Sequence, residues 1–360
     1  MSAAPRGRLR GQTHRRAVLE VLHGGLLTTV QDGGRPGYMA WGLSPGGAMD
    51  RFLLACANLL VGNPPEAAAL EFTLDGPVLA VHGDVVAAVA VAGGQWRAGT
   101  SDCPLPLWEA VLLPSGSVVA VGPVTRGVRG YLAVAGGIDV PEVLGSRSTH
   151  VRARLGGLEG RALEAGDRLP VGEPAASCQD LVGRRIPEDL RPHRRSAPIR
   201  VRLGPQDDAF TPRGLRTFLS SPYRVSPHSD RMGVRLQGPP VEARSGHEIE
   251  SEGVAAGSVQ VPGDGQPIVL LAERQTTGGY AKIATVITAD LDAAGQLRPG
   301  QVVRFLAVDE AAAGRALEER RRRLAAIAEA LGPPRPGQGG WTGYFVAGER
   351  HVYRVERKAG

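Results

Sequence analysis

The sequence predicts a mainly β protein of short strands with few helices. Three observations carry that expectation. The 50 glycines and 28 prolines among 360 residues interrupt the chain so often that long regular elements are excluded from most of it. The runs between them, such as GPVLAVHG, DVVAAVAVAGG and GYLAVAGG, are rich in valine, which favours a pleated, half-buried surface. Hydrophobic residues make up 42% but aromatic ones only 4%, so a large core has to be built from Val, Leu, Ile and Ala. At about 100 to 200 residues per domain, the length suits two domains or one large one.

Residues 1–16 read as a disordered basic arm. A first β-rich unit spans 17–182. It opens with a strand over 17–22 and the segment TTVQDGGRPGYMAWGLSPGGAMD, whose glycines and two prolines allow sharp turns or close approach of another group. A helix follows. Phe52, Ala55, Cys56, Leu59 and Leu60 fall at helical spacing, with Asp50 as N-cap and Gly62 as the stop. From 70 to 169 strands and turns alternate, and AVAGG recurs at 90–94 and 133–137.

The polar, proline-containing segment GRRIPEDLRPHRRSAP (183–198) reads as a linker. A second β-rich unit, 199–308, starts on the alternating strand IRVRLG, and DAFTPRGLRTFLSS contains a short helix. The remainder, 309–360, holds a helix from Asp309 to Leu331 and a hairpin-like tail around Gly348 and Glu349.

Charge excludes one class of function. The formal net charge is +6. However, residues 1–16 carry five arginines and no acid, and residues 310–360 carry ten basic and six acidic residues, so the body between them has more acids than bases. A nucleic-acid-binding face on that body is not expected. Cys56, Cys103 and Cys178 are three, without CxxC spacing, which suits a reducing compartment. The eight histidines show no metal-ligand spacing, so no metal site is expected. No segment approaches the about 20 apolar residues that cross a membrane, and the expected location is cytoplasmic.

Candidate chemistry gathers in four segments. In LLAERQTTGGYAKIATVITADL (270–291), one of the two lysines of the chain, Lys282, stands at the start of a strand. Unlike guanidinium, an ammonium sheds its proton readily when desolvated. The local reading is a hairpin, Ile268–Glu273 against Lys282–Thr288. The tip RQTTGGY would supply Arg274, Gln275, the hydroxyls of Thr276 and Thr277, the uncovered N–H groups of Gly278 and Gly279, and Tyr280. Such donors around one hollow stabilise a carboxylate or a developing oxyanion. QDGGR supplies Gln31, Asp32 and Arg35, either as an internally paired turn or as a wall of the same pocket. SDRMGVRLQGPP adds Asp230 and Arg231, and SEGVAAGSVQVPGDGQP adds Ser258 and Gln260.

Read together, TVQDGGRPGYMAWGLSPGGAMD, ANLLVGNPPEAAALEFTLDGP, RGYLAVAGGIDVPEVLGSRST, SDRMGVRLQGP and SEGVAAGSVQVPGDGQPIVLLAERQTTGGYAKIATVITADL resemble the biotin-dependent carboxyltransferase family. That family includes KipA, allophanate hydrolase subunit 2 and the C subunit of 5-oxoprolinase. The resemblance runs from about 17 to 308. It is loose over 91–119 apart from Trp108, and 332–360 looks additional.

The resemblance implies two cyclophilin-like β-barrel subdomains, and work beside two partner subunits, one KipI-like and one of LamB/YcsF type. The implied reaction opens the lactam of 5-oxo-L-proline to L-glutamate, with ATP used by the complex rather than clearly bound by this chain. Lys282, Gln275, Thr276 and Thr277 would be the catalytic group, and the other residues named above would bind substrate. Two alternatives follow from the same family. One is the carboxyltransferase half of a urea or amide carboxylase, the only reading that calls for biotin. The other is a KipA-type protein that binds a KipI-like kinase inhibitor. Neither lysine of these 360 residues lies in an AMKM context, so this chain is not expected to carry biotin.

Overall fold

The computed structural model describes residues 16–98, 104–192, 198–333, 342–347 and 351–356. Of the features expected above, the basic arm (except Arg16), Cys103 and the turn at Gly348 and Glu349 lie outside them.

The chain is mainly β. In its first half two sheets face each other. One orders the strands Arg168–Pro170, Val18–His23, Val78–His82, Val118–Val121, Trp96–Ala98 and Pro104–Leu105. The other orders Leu27–Gln31, Ala69–Thr73, Arg126–Val134, Val85–Gly93 and Val111–Leu113, and continues into the tail strands Thr342–Ala347 and His351–Glu356. The two AVAGG echoes end neighbouring antiparallel strands of this second sheet.

Period-two alternation explains why the strand Val85–Gly93 is apolar throughout. Val85, Ala87, Val89 and Val91 enter the core between the sheets, whereas Val86, Ala88 and Ala90 face an outer layer. That layer is the helix Arg51–Leu60, whose cap Asp50 accepts from the Leu53 N–H at 3.0 Å. Leu181, Ile186 and Ile327 complete it. Residues 183–192 are therefore packed against the first half rather than tethered loosely. The helix Glu310–Leu331, capped by Asp309, returns to the same layer through Ile327.

The second half is one sheet of eight strands. Its order is Val302–Val303, Tyr223–Val225, Gly233–Gln237, Ile268–Leu270, Ser258–Gln260, Lys282–Val286, Ile199–Leu203 and Phe305–Ala307. The two edge strands are separated in sequence only by Arg304, so one short stretch of chain draws both edges together and the sheet nearly closes into a barrel. Phe218, from the helix Pro212–Ser220, stacks on Phe305 at 4.5 Å between ring centroids inside it.

This topology corrects the expected hairpin. Ile268–Leu270 and Lys282–Val286 do not pair with each other, because Ser258–Gln260 lies between them and pairs with both. Gly278 and Gly279 are not in a tip. They belong to the strand Thr277–Tyr280, which forms a two-stranded ribbon with Glu248–Gly253. Sequence adjacency favoured the wrong partner, since three short apolar strands have equivalent patterns and only the closed sheet selects their order.

Candidate active site

The barrel half contains a cavity of about 540 Å³, lined among others by Asp230, Gln260, Gln275 and Tyr280. A volume of that order suits a small molecule. These four are the sequence candidates that the structure brings together. Gln260 is 2% exposed, and its carboxamide oxygen accepts from Gln275 Nε2 at 2.9 Å. Its own Nε2 donates to the Tyr280 carbonyl at 3.3 Å. Asp230 uses Oδ1 to accept from the Met232 N–H at 2.8 Å and from the Gly233 N–H at 3.2 Å, which turns the chain into the strand Gly233–Gln237.

Gly278 lies behind the two glutamines. A Cβ there would come within 2.6 Å of Gln260 Nε2 and 3.4 Å of Gln275 Nε2, so the absence of a side chain is what admits the amide pair. The cavity also takes Arg235 and Gln237 from the alternate positions of their strand, His228 from the preceding turn, and Ile268 and Leu270 as apolar wall. The alternation in VRLQ was the signal that could have found Arg235. Nothing local in the sequence distinguishes His228.

Lys282 is not in that lining. Its ammonium is buried and donates to Glu252 Oε1 at 2.5 Å, and the same oxygen accepts from Gln206 Nε2 at 2.6 Å. Those two hydrogen bonds, the lysine first, hold the Glu252 carboxyl below its ordinary range. Glu252 sits on the ribbon strand, so the pair ties the ribbon to the barrel. Thr277 is exposed and pairs through its backbone with Gly253. The Thr276 carbonyl accepts from the Val254 N–H at 2.9 Å. Gly279 stands in the same ribbon, and Ser258 is buried in the ladder opposite Thr285.

The QDGGR residues lie in the first half. Asp32 does not pair with Arg35. Its Oδ1 accepts from Gly34 N–H at 2.7 Å, Ser146 Oγ at 2.6 Å and Ser148 Oγ at 2.5 Å, and its Oδ2 accepts from Arg147 N–H at 2.6 Å. Arg35 is fully buried and donates to the carbonyls of Val143 and Ser148. Burial lowers its pKa, against the opposing charges of Asp32 and Glu273. Gln31 donates to Thr29 Oγ1 and the Thr149 carbonyl. All three thus fasten the 143–149 segment to the strand Leu27–Gln31.

Arg231 and Arg274 also turn away from the cavity. Arg274 donates to the Val254 and Leu271 carbonyls and reaches Met39 Sδ at 3.5 Å. Arg231 is the hub of a buried ionic network between the halves. It donates to Glu71, to Glu273 at 2.5 Å and to the Gly47 carbonyl at 2.6 Å. Glu71 further accepts from Tyr131 Oη at 2.6 Å and the Met49 N–H at 2.8 Å. Burial alone would raise the Glu71 pKa. Arg231, Arg129 and the two hydrogen bonds outweigh burial and hold Glu71 below the usual carboxylate range. Because the Glu273 N–H donates to the Arg231 carbonyl at 2.9 Å, this network also sets the turn that carries Gln275. Glu71 and Glu273 were invisible as partners in the sequence, separated from Arg231 by 160 and 42 positions.

The profile of the carboxyltransferase domain, subdomains A and B, matches residues 41–307. This chain belongs to that family. It is 41% identical over 291 residues to the 5-oxoprolinase C subunit of Escherichia coli (strain K12), an alignment that covers 80% of this chain and 91% of that protein. Among solved structures, TTHA0988 is 40% identical with a TM-score of 0.72 and covers 81% of this chain. The K. lactis urea amidolyase is 29% identical with a TM-score of 0.81 and covers 97% of it. The chain spans only 56% and 23% of the lengths of those two. Among the described residues, no helix is long and apolar enough to cross a membrane, and no group of three or more His, Cys, Asp or Glu is placed to hold a metal ion.

Proposed function

We propose that this chain is the C subunit of an ATP-dependent 5-oxoprolinase, which opens the lactam of 5-oxo-L-proline to L-glutamate together with a KipI-like and a LamB/YcsF-type partner subunit. The observation that carries this reading is the 41% identity to a 5-oxoprolinase C subunit over nearly the whole of that protein. The cavity supports it in kind. Arg235 offers a guanidinium for the substrate carboxylate, Ile268 and Leu270 an apolar wall for the ring methylenes, and Gln275 a neutral carboxamide for the lactam. Lactam opening adds water to the ring carbonyl carbon, breaks the C–N bond and leaves the proton on the amine. Donors that hold the carbonyl oxygen in place favour the negative charge that develops there.

ATP is not assigned to this cavity. Asp230 and Asp264 both line it, and two carboxylates beside a single guanidinium oppose a triphosphate. The 97% coverage by the urea amidolyase fold favours one alternative, a carboxyltransferase acting on urea or a related amide with biotin. The test is an ATPase and glutamate assay of the three mixed subunits with and without 5-oxo-L-proline. Stimulation that needs all three, and is insensitive to avidin, is expected. No turnover with all three present rejects the reading, and avidin-sensitive turnover of urea transfers it to the alternative.

A further inference from the structure

Among the described residues the Gln275 side chain makes one hydrogen bond, and it is made with the amide nitrogen. Nε2 donates to Gln260 Oε1 at 2.9 Å. Among the described residues the second N–H of that nitrogen and the carboxamide oxygen have no partner, and the side chain lines the cavity. When the N–H anti to the oxygen is the one spent on Gln260, the oxygen and the N–H syn to it form one free donor–acceptor edge of the planar carboxamide, and that arrangement is the one inferred. The complement of that edge is a group that carries N–H and C=O side by side. Open-chain secondary amides do not present it, because their peptide bond is trans and places the two groups on opposite sides. A five-membered lactam is locked cis and presents both together.

We infer that Gln275 determines specificity by reading the cis N–H/C=O edge of a small cyclic amide through two parallel hydrogen bonds. Gln260 acts as a positioning residue, since its carboxamide oxygen holds Gln275 Nε2 from the neighbouring wall of the cavity. Gly278 leaves the space that this arrangement needs. The inference rests on the proposed lactam substrate only for the choice among ring amides. A cyclic urea, a primary amide and urea itself carry the same edge, since an NH2 also places one N–H beside the C=O, so these sources share one chemistry, and the lactam is the source favoured here because Arg235 lines the cavity together with Ile268 and Leu270, a guanidinium for a carboxylate and an apolar wall for methylenes.

The experiment measures binding of four uncharged rings to the full chain by ligand-observed NMR: 2-pyrrolidone, γ-butyrolactone, N-methyl-2-pyrrolidone and 2-imidazolidone. 2-Pyrrolidone is expected to bind at least about tenfold more tightly than the lactone, which lacks the N–H, and than the N-methyl compound, in which it is blocked. Gln275→Leu is expected to abolish that difference. Gly278→Ala should reduce it with the chain still folded, because the new methyl presses hardest on the end of the Gln260 side chain, at 2.6 Å, and its next neighbours, Val254 Cγ2 at 3.2 Å and Gln275 Nε2 at 3.4 Å, are side-chain atoms too. Equal binding of the lactam and the lactone overturns the inference. A tenfold preference for 2-imidazolidone over 2-pyrrolidone overturns the lactam assignment. Failure here remains distinct from failure of the proposed function, because 5-oxo-L-proline-dependent turnover by the three-subunit mixture is read without these probes. Wild-type turnover by the Gln275→Leu mixture would sink the specificity role and leave the function standing.

Discussion

Arg231 and Glu71, 160 positions apart, form an ion pair in the interior, their side chains 5% and 2% exposed. The pair joins the barrel half to the first half. Arg231 also serves Glu273, the residue two before Gln275, so packing between the halves and geometry at the cavity share one side chain. Arg231→Met would leave the buried Glu273 without its guanidinium and Glu71 with Arg129 as its remaining cation. Breaking a buried pair by removing one partner costs about 3–5 kcal/mol, and a loss of that size is expected in urea unfolding. The double variant Arg231→Met/Glu71→Gln should lose less than the sum of the single changes. A single-variant loss below about 1 kcal/mol would show that the network does not hold the halves together.

A second prediction concerns acid. His150 accepts from the Ala153 N–H at Nδ1, at 3.2 Å, and faces Ser44 Oγ through Nε2 at 2.9 Å. The ring is therefore neutral with its proton on Nε2, and its 3.9 Å approach to Glu273 is not an ion pair. Burial is the largest influence and lowers the His150 pKa from 6.5. Glu273 opposes it, and Arg35 and Arg231 reinforce it. The unfolded chain takes up a proton near pH 6.5 that the folded chain refuses. Stability is thus fully present above that pH and falls as the pH drops toward the lower folded value. Glu71, held below 4.5, adds a further loss only in stronger acid. Unfolding free energies at about pH 7.5 and about pH 5.5 should differ, and His150→Asn should flatten the slope between them. An unchanged slope would exclude His150 as its source.

Asp32 supplies a third test. Its two oxygens take four donors, three of them from Ser146, Arg147 and Ser148. Asp32→Ala leaves those donors unpaired and is expected to cost about 2–3 kcal/mol of stability. The binding of 2-pyrrolidone should stay within a few-fold of wild type once the protein is folded. A selective loss of binding at unchanged stability would instead place Asp32 at the substrate.

The sequence carried its local signals well. Asp50 caps its helix as expected, because a short polar side chain before an apolar periodic run satisfies the first free N–H groups, and Thr211 and Asp309, not singled out as caps from the sequence, do the same. The mainly β class followed from valine runs between glycines. What failed was strand order around Lys282, because pairing across a closed sheet depends on contacts far apart in sequence. The same reason hid Glu71 and Glu273 from Arg231, and Glu252 from Lys282. Of the QTTGGYAK stretch only Gln275 and Tyr280 reach the cavity. Period-two alternation gives a side chain's face, not whether that face is cavity, ribbon or core.

Lys282 itself separates two roles. In the structure its ammonium neutralises Glu252 and ties the ribbon Glu248–Gly253/Thr277–Tyr280 to the barrel. If that tie is its contribution, Lys282→Met and Glu252→Gln remove the same interaction and should lower the turnover of the reconstituted complex to a similar extent, each within about tenfold of the other. Thermal unfolding should show the larger loss for Glu252→Gln, since it leaves the buried ammonium without a counter-charge, whereas Lys282→Met leaves only a solvent-exposed carboxylate. If the ammonium instead leaves Glu252 to hold the lactam carbonyl during the reaction, Lys282→Met should cost about a hundredfold or more in kcat, as loss of a single oxyanion donor does. Glu252→Gln, which frees the ammonium, should then cost little. Measuring kcat and KM for both variants decides between them, and equal losses in kcat would end a direct catalytic role for Lys282.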